Sequence, residues 1–294
     1  MLKVAVFGYG NVGRSVVDTV LCAPDMSLVG IVDVALAGQL AQGFTIAAAA
    51  GELPAVDVAI LAVPSRLVPA LADELLRAGI YTVDGFDIHT RLPEVWTALG
   101  EAAKAGGVAA ITAAGWDPGT DSIVRVLFEA MAPAGLTYTD FGPGMSMGHT
   151  VAAKAIPGVA EALSMTIPTG TGIHRRMVYI ELAAGVDFET VAAAIKADDY
   201  FAHDETHVIQ VDSVAAVKDM GHGVHMERKG VSGITQNQLF SFDMKINNPA
   251  LTAQVLVGSA RAVCRQTPGC YTLIEIPPVD YLPCDRAEAV ARLV

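Results

Sequence analysis

Asp87 in GFDIH and Asp117 in GWDPG each follow a strand-like run. In an open α/β sheet, ligands bind outside the carboxyl ends of the strands. Two carboxylates sharing a sheltered crevice repel each other unless a cation lies between them, so the pair suits a substrate ammonium group. Asp117 also has a structural reading: with Pro118 after it, it fits a helix N-cap with proline at the first helical position.

A second constellation opens the chain. VAVFGYGNVGR puts Gly8, Gly10 and Gly13 between an apolar run and an apolar-periodic stretch, the strand–turn–helix setting in which G-x-G-x-x-G binds a dinucleotide. The first glycine allows the tight turn, the second lets a pyrophosphate approach the backbone, and the third lets the helix pack on the strand, with helix-terminal N–H groups aimed at the anion. The motif as a whole, Gly8, Tyr9, Gly10, Asn11, Val12 and Gly13, is the expected phosphate cradle. The second apolar run ends at Asp33, 33 − 13 = 20 residues beyond Gly13, where a carboxylate hydrogen-bonds an adenosine ribose and repels a 2′-phosphate. No Lys or Arg follows in VALAGQ, so the expected cofactor is NAD rather than NADP. A solvated strand-end aspartate is the alternative.

Further along, GIHRRM carries Arg175 and Arg176, MGHGVH carries His222 and His225, and INNPAL carries Asn247 and Asn248. An arginine, a histidine and an amide can together clamp a carboxylate. Taken alone, such residues are more often ordinary surface groups. His203-x3-His207 and His222-x2-His225 also have zinc-like spacing, but no cysteine or carboxylate completes a ligand set, and no metal is expected.

These residues need a frame. The first third alternates short Val/Ile/Leu/Ala runs (KVAVFG, SLVGIVD, DVAILAV, IYTVD, VAAITAA) with helical patterns such as SRLVPALADELLRAG and LPEVWTALGEAAKAG. This predicts an α/β doubly wound parallel sheet with helices on both faces. After Pro118, TYTDF, RMVYIEL, THVIQVD and LFSFDMKI interleave polar with apolar residues, which predicts a second α+β domain with a mixed or antiparallel sheet. The expected division is a dinucleotide-binding domain over 1–118, completed by about 250–294 through the helical ALTAQVLVGSARAVCR, and a second domain over 119–249.

Composition narrows the class. With 294 residues the chain can bury a large core. Its longest apolar-looking stretch, TIAAAAGELPAVDVAILAV, is broken by Glu52, Pro54 and Asp57, against a membrane span. A formal net charge of −12 repels phosphate backbones, so no nucleic-acid partner is expected. Cys22, Cys264, Cys270 and Cys284 are scattered without a C-x-x-C pair, which fits reduced thiols; with no secretory pattern at the N-terminus, the expectation is a cytoplasmic protein.

From GYGNVGR through GFDIH, GWDPGTDS, GPGMSMGH, MTIP, HRRMVYIEL, DYFAHDETHV, MGHGVHMERKG and NNPALTAQVLVGSARA, the whole chain resembles the meso-diaminopimelate dehydrogenase family. The resemblance implies a Rossmann domain joined to a substrate-binding and dimerisation region, a homodimer, and a place in lysine biosynthesis. It implies NAD(P)-dependent, reversible oxidative deamination of the D-centre of meso-2,6-diaminopimelate to L-2-amino-6-oxopimelate and ammonia. Matched residue by residue, Asp87, Trp116 and Asp117 surround the reacting D-centre, Asp87 and Asp117 being the catalytic candidates, and Met147 and Gly148 lie on the turn holding its carboxylate. Thr166, Arg176, His222 and Asn248 match residues gripping the distal L-centre. Of the two arginines, the match selects Arg176.

Two departures stand out. Family members commonly carry arginine at and after the end of the second strand, where this chain has Asp33-Val34-Ala35, so the NAD expectation becomes more pointed. The S-x-G-H turn commonly has glutamine where Met147 stands, and an aromatic-Gly-Lys stretch is here Phe141-Gly142-Pro143. The alternatives are therefore an NAD-dependent dehydrogenase or imine reductase for another D- or diamino acid, and, in a different class, a non-catalytic NAD-binding sensor.

Overall fold

A computed structural model describes residues 1–218 and 221–294. Met220, which opens the MGHGVH motif, lies outside the described residues. The chain starts with β1 (Leu2–Phe7), α1 (Asn11–Cys22) and β2 (Met26–Val32), followed by an antiparallel pair of two-residue strands, β3 (Leu40–Ala41) and β4 (Phe44–Thr45). It continues through β5 (Val58–Leu61), α2 (Val68–Arg77), β6 (Tyr81–Asp84), α3 (Leu92–Gly106), β7 (Ala109–Ile111) and α4 (Thr120–Met131). α4 starts at Thr120, so Pro118 is not its first residue and the N-cap reading of Asp117 does not hold.

A second compact unit spans Val124–Asn248. It contains β8 (Ala134–Phe141), β9 (Gly144–Met145), α5 (Met147–Lys154), β10 (Val159–Gly170), β11 (Ile173–Leu182), α6 (Phe188–Ala197), β12 (Glu205–Gln210), β13 (Gly221–Ser232) and β14 (Thr235–Asn247). One sheet has the order β12-β11-β10-β9 and is mixed, because β11 and β12 run parallel while the other neighbours are antiparallel. The other, β14-β13-β8, is antiparallel throughout. Ala152 and Ala153 of α5, Val178 and Ile180 of β11, and Val191 and Ile195 of α6 close one core around Phe201. Along β14 exposed and half-buried residues alternate, the period-2 pattern of a strand with one wet face.

The chain then returns through α7 (Asn248–Val263), β15 (Gly269–Tyr271) and α8 (Arg286–Leu293). Residues Pro249–Val294 form one compact unit with Met1–Ile123. Its sheet runs β15-β7-β6-β5-β1-β2, every neighbouring pair parallel. Alternation along β1 sorts the core: Val4 and Val6 pack with Val16, Val17 and Val20 of α1 and Leu256, Val257 and Ala260 of α7, while Ala5 and Phe7 pack with Leu75 and Leu76 of α2 and Leu99 and Ala103 of α3. Each buried Val, Leu or Phe stabilises by about 1.5–3 kcal/mol. Arg261 of α7 forks onto Asp25 at 2.6 and 2.8 Å and holds its carboxyl below the usual carboxylate range, tying the returning helix to the start of β2. This is an α/β fold with a doubly wound parallel sheet and a second region of mixed and antiparallel sheets. Among the described residues no helix is long and apolar enough to cross a membrane.

Candidate active site

In the first unit the sheet order changes direction at β1, with β2 on one side and β5, β6 and β7 on the other. That topological switch is where doubly wound sheets hold their ligands, and the glycine turn stands there. Gly8 has φ +91°, and a Cβ on it would lie 2.5 Å from the Ala62 carbonyl oxygen. A Cβ on Gly13 would sit 1.9 Å from the Gly8 carbonyl oxygen, so α1 can start this close to β1 only with glycine there. Gly10 is different: its Cβ direction is open, with nothing within 4 Å. Gly10 is also the N-cap of α1 and offers no side-chain cap, and no acidic residue stands in the first turn of Asn11, Val12 and Gly13. Unfilled space beside an uncapped helix start fits the pyrophosphate of a dinucleotide.

Asp33, at the end of β2, belongs to the same structure. One carboxylate oxygen accepts the Tyr9 N–H at 2.8 Å and the other accepts the Ala35 N–H at 3.0 Å. A carboxylate oxygen has more than one lone pair, so Asp33 can brace the glycine turn and still accept from a ribose hydroxyl. No Lys or Arg occurs from Val34 to Gln39, and Val34 is exposed.

The aspartate turns leave the same edge of the same sheet. Asp87 lies three residues past the end of β6, and its carboxylate accepts the Ser65 hydroxyl at 2.6 Å while its N–H donates to the Ser65 oxygen at 3.2 Å. Ser65 comes from the turn after β5. Trp116 is 5 % exposed, and its carbonyl accepts from the Asp121 N–H at 3.0 Å and the Thr120 hydroxyl at 3.3 Å. Asp117 follows it with a cis bond to Pro118, and the Gly115 N–H closes the turn onto the Pro118 carbonyl at 3.1 Å.

In the second unit, Met147 and Gly148 open α5 behind Ser146, whose hydroxyl meets His149 Nδ1 at 2.8 Å. Thr166 on β10 stands opposite Arg176 on β11 and opposite Gly144 on β9. The Arg176 guanidinium donates to the Thr166 hydroxyl and, through Nε, to Asp204 Oδ2 at 2.5 Å. With five N–H groups, it is not exhausted by two bonds. Arg175, one residue away, pairs with the exposed Glu205 at 2.9 Å, so neighbouring positions on a strand send the two arginines to different partners. His222 is buried, and its Nδ1 lies 2.7 Å from the Gly223 nitrogen and 3.0 Å from the Gly223 carbonyl oxygen. Asn248 is buried at the start of α7 and donates to the Met145 carbonyl at 2.9 Å. Thr166, Arg176, Met147 and Asn248 thus gather around the β9 strand and the α5 start that follows it.

The zinc-like spacings do not converge. His207 pairs with Glu205 at 2.7 Å and His225 with Asp243 at 2.8 Å, and His222 and His225, three apart on one strand, face opposite sides. Among the described residues no three His, Cys, Asp or Glu side chains are grouped to hold a metal.

Sequence reasoning missed four participants. Ser65 and Asp204 carried no signal, because each becomes relevant only through a partner 22 or 28 residues away. His149 was visible within the S-x-G-H turn; it sits edge-on to the Tyr200 and Phe201 rings, and burial, reinforced by Arg176, lowers its pKa to about 3. Asp84 was hidden as the last residue of a strand. It is fully buried, and burial raises its pKa to about 6 despite bonds from the Phe86 N–H, the Thr112 hydroxyl and the Ala113 N–H.

Residues 115–175 match the family model of the diaminopimelic acid dehydrogenase C-terminal domain, and residues 1–84, which span the glycine turn and Asp33, match that of the CoA binding domain. The meso-diaminopimelate D-dehydrogenase of Bacteroides fragilis is 59 % identical over 296 residues, covering 100 % of this chain and 99 % of the relative. The C. glutamicum DAP dehydrogenase solved in complex with DAP superposes with a TM-score of 0.90 at 31 % identity, covering 100 % of this chain and 99 % of that one. An engineered D-amino acid dehydrogenase bound to NADP+ has the same TM-score at 30 % identity and the same coverage. The chain belongs to the meso-diaminopimelate D-dehydrogenase family and is an oxidoreductase of the amino-acid dehydrogenase type.

Proposed function

We propose that this protein catalyses the reversible, NAD-preferring oxidative deamination of the D-centre of meso-2,6-diaminopimelate to L-2-amino-6-oxopimelate and ammonia. The observation that carries this is the clustering on one sheet edge of the glycine turn, its Asp33 brace and both aspartate turns. The dehydrogenase nature of the relatives supports the reaction type. The Gly8–Gly13 turn and Asp33 would hold NAD, which would supply the hydride acceptor for the D-configured α-carbon.

The chain's own residues do the rest. Asp87 and Asp117 hold the D-centre ammonium, and one of them takes its proton directly or through water, since hydride leaves more readily from the neutral amine. The carbon–nitrogen double bond so formed on the substrate is attacked by water, and ammonia departs. Trp116 supplies an apolar wall at the reacting centre, Met147 and Gly148 lie along its carboxylate, and Thr166, Arg176, His222 and Asn248 take the L-centre. Holding the reacting carbon in register accounts for much of the rate in such a reaction.

Asp33 supports NAD: a 2′-phosphate there would face a carboxylate with no nearby cation in residues 34–39. Met147, apolar where the family commonly offers an amide, favours a second reading in which the best substrate is another D- or diamino acid. A non-catalytic NAD sensor would not need the two aspartates, Arg176, His222 and Asn248 together. A homodimer is supported by exposed Val126, Leu127 and Met131 on α4 and Leu136 and Leu239 on the antiparallel sheet, and light scattering during gel filtration tests it. Four free thiols support a cytoplasmic setting.

The test is turnover of a panel of D-, L- and diamino acids, read from reduced cofactor, in wild type and in Asp87→Ala and Asp117→Ala. Near-normal rate and affinity in both variants would remove the site assignment, and no turnover of any amino acid by wild type would favour the sensor.

A further inference from the structure

Asp84 lies outside the proposed chemistry, yet it touches both turns that carry it. Its Oδ1 accepts three hydrogen bonds: the Phe86 N–H at 2.9 Å, one residue before Asp87; the Thr112 hydroxyl at 2.9 Å; and the Ala113 N–H at 3.3 Å, on the segment leading to Trp116 and Asp117. Its own carbonyl accepts the Ala114 N–H at 2.7 Å. Regular pairing between β6 and β7 covers only Thr82 with Ala110 and Val83 with Ile111. Beyond it, where the strands give way to turns, Asp84 supplies the connection. Ala113 has φ +55°, a left-handed conformation that costs a non-glycine residue energy and persists only when its surroundings impose it.

A fold needing only apolar packing here has no use for this residue. Asp84 is 0 % exposed, makes no ion pair among the described residues, and its Oδ2 meets no hydrogen-bond partner there. Such a buried carboxylate is costly unless its bonds accomplish something an apolar side chain cannot. What they do is fix two backbone segments against one oxygen atom.

We propose that Asp84 is a positioning residue that locks the Asp87 turn and the Trp116–Asp117 turn into one rigid pair, setting the separation of the two carboxylates. This rests on the reading of those aspartates as residues of the reacting centre. Three bonds converging on one charged acceptor are stronger than the same bonds to a neutral one, and an error of about 1 Å in placing reacting groups costs on the order of a hundredfold in rate.

The experiment uses Trp116 as reporter. The chain has two tryptophans, and Trp96→Phe, at a position 40 % exposed on α3, leaves Trp116 alone. In that background Asp84→Ala should raise acrylamide quenching of Trp116 at least twofold and lower kcat for meso-diaminopimelate at least thirtyfold, with NAD affinity within twofold. Asp84→Asn, which keeps an acceptor of the same shape, should restore both readouts most of the way. Should Asp84→Ala fold poorly, Thr112→Val removes a single bond and should give a smaller change of the same kind. Unchanged quenching in Asp84→Ala, or in Thr112→Val where that variant stands in, overturns the proposal. So does an equal loss of NAD affinity and kcat, which marks general damage. Quenching does not depend on turnover, so a wild-type protein inactive on meso-diaminopimelate would sink the functional reading and leave the Asp84 result standing.

Discussion

The two groups of candidate residues are held in place by different means. In the first unit, Asp87, Trp116 and Asp117 ride on short turns at the ends of parallel strands, fixed by backbone hydrogen bonds and by the buried Asp84 carboxylate. In the second, Thr166 and Arg176 face each other across antiparallel strands, and the guanidinium is steadied by Asp204, a side chain still partly open to solvent. The first arrangement is pinned by a carboxylate with no exposed surface, Asp84, and is suited to a reaction that tolerates little misplacement. The second is built on the Arg176–Asp204 ion pair, which under the proposed function grips the distal carboxylate. The two should therefore fail differently when damaged: the first in kcat, the second in KM.

The largest effect is expected at the aspartates. Replacing Asp87 or Asp117 by Ala should lower kcat by about 10²–10⁴-fold, the span typical of a positioned acid or base, with little change in cofactor affinity, read from initial rates and NAD titration. Next, Arg176→Ala should raise KM for meso-diaminopimelate about thirtyfold and leave kcat within a fewfold, which corresponds to losing about 2 kcal/mol of charge-assisted hydrogen bonding. If Arg176→Ala instead lowered kcat with KM unchanged, the contrast between the groups would collapse.

Acid should separate them as well. His149 has its pKa pushed down to about 3 from 6.5 by burial, so the folded state resists a proton that the unfolded chain takes up. Its contribution to stability is whole above about pH 6.5 and shrinks as pH falls, by about 1–2 kcal/mol between pH 6.5 and 5. Asp84 runs the other way. Raised from 3.8 to about 6, it binds its proton more tightly when folded, so its contribution is fullest below about pH 4 and is lost as pH rises through 6. Melting curves from pH 5 to 8 should show His149→Phe blunting the acid-side loss and Asp84→Asn removing the opposing term. The smallest effect belongs to Met147→Gln, which returns an amide donor and should lower KM for meso-diaminopimelate about three- to tenfold, the net value of one ordinary added hydrogen bond, about 0.7–1.4 kcal/mol.

How much of this the sequence revealed follows the same division. The glycine turn, Asp33, Asp87 and GWDPG were legible because each is a short contiguous motif at the end of an apolar run, and parallel strands buried on both faces announce themselves by composition. SRLVPALADELLRAG and ALTAQVLVGSARAVCR read as helices; the first contains α2, and the second covers all of α7 except its first two residues, Asn248 and Pro249. The second unit was harder. TYTDF, RMVYIEL, THVIQVD and LFSFDMKI became parts of β8, β11, β12 and β14, but β10, which carries Thr166, and β13, which carries His222, announced no strand of their own. Their pairing depends on register over long sequence separations, and nothing local in MTIP or GHGVH encodes a partner. The N-cap reading of Asp117 failed for the same reason in miniature: local chemistry allowed it, but the turn extends two residues further before α4 starts.

The NAD preference rests most on Asp33, the proposed partner of the adenosine ribose. The direct measurement is kcat/KM of the wild-type protein for meso-2,6-diaminopimelate with NAD and with NADP under identical conditions. Turnover with NAD favoured at least tenfold is the predicted result; equal rates, or a preference for NADP, would contradict it.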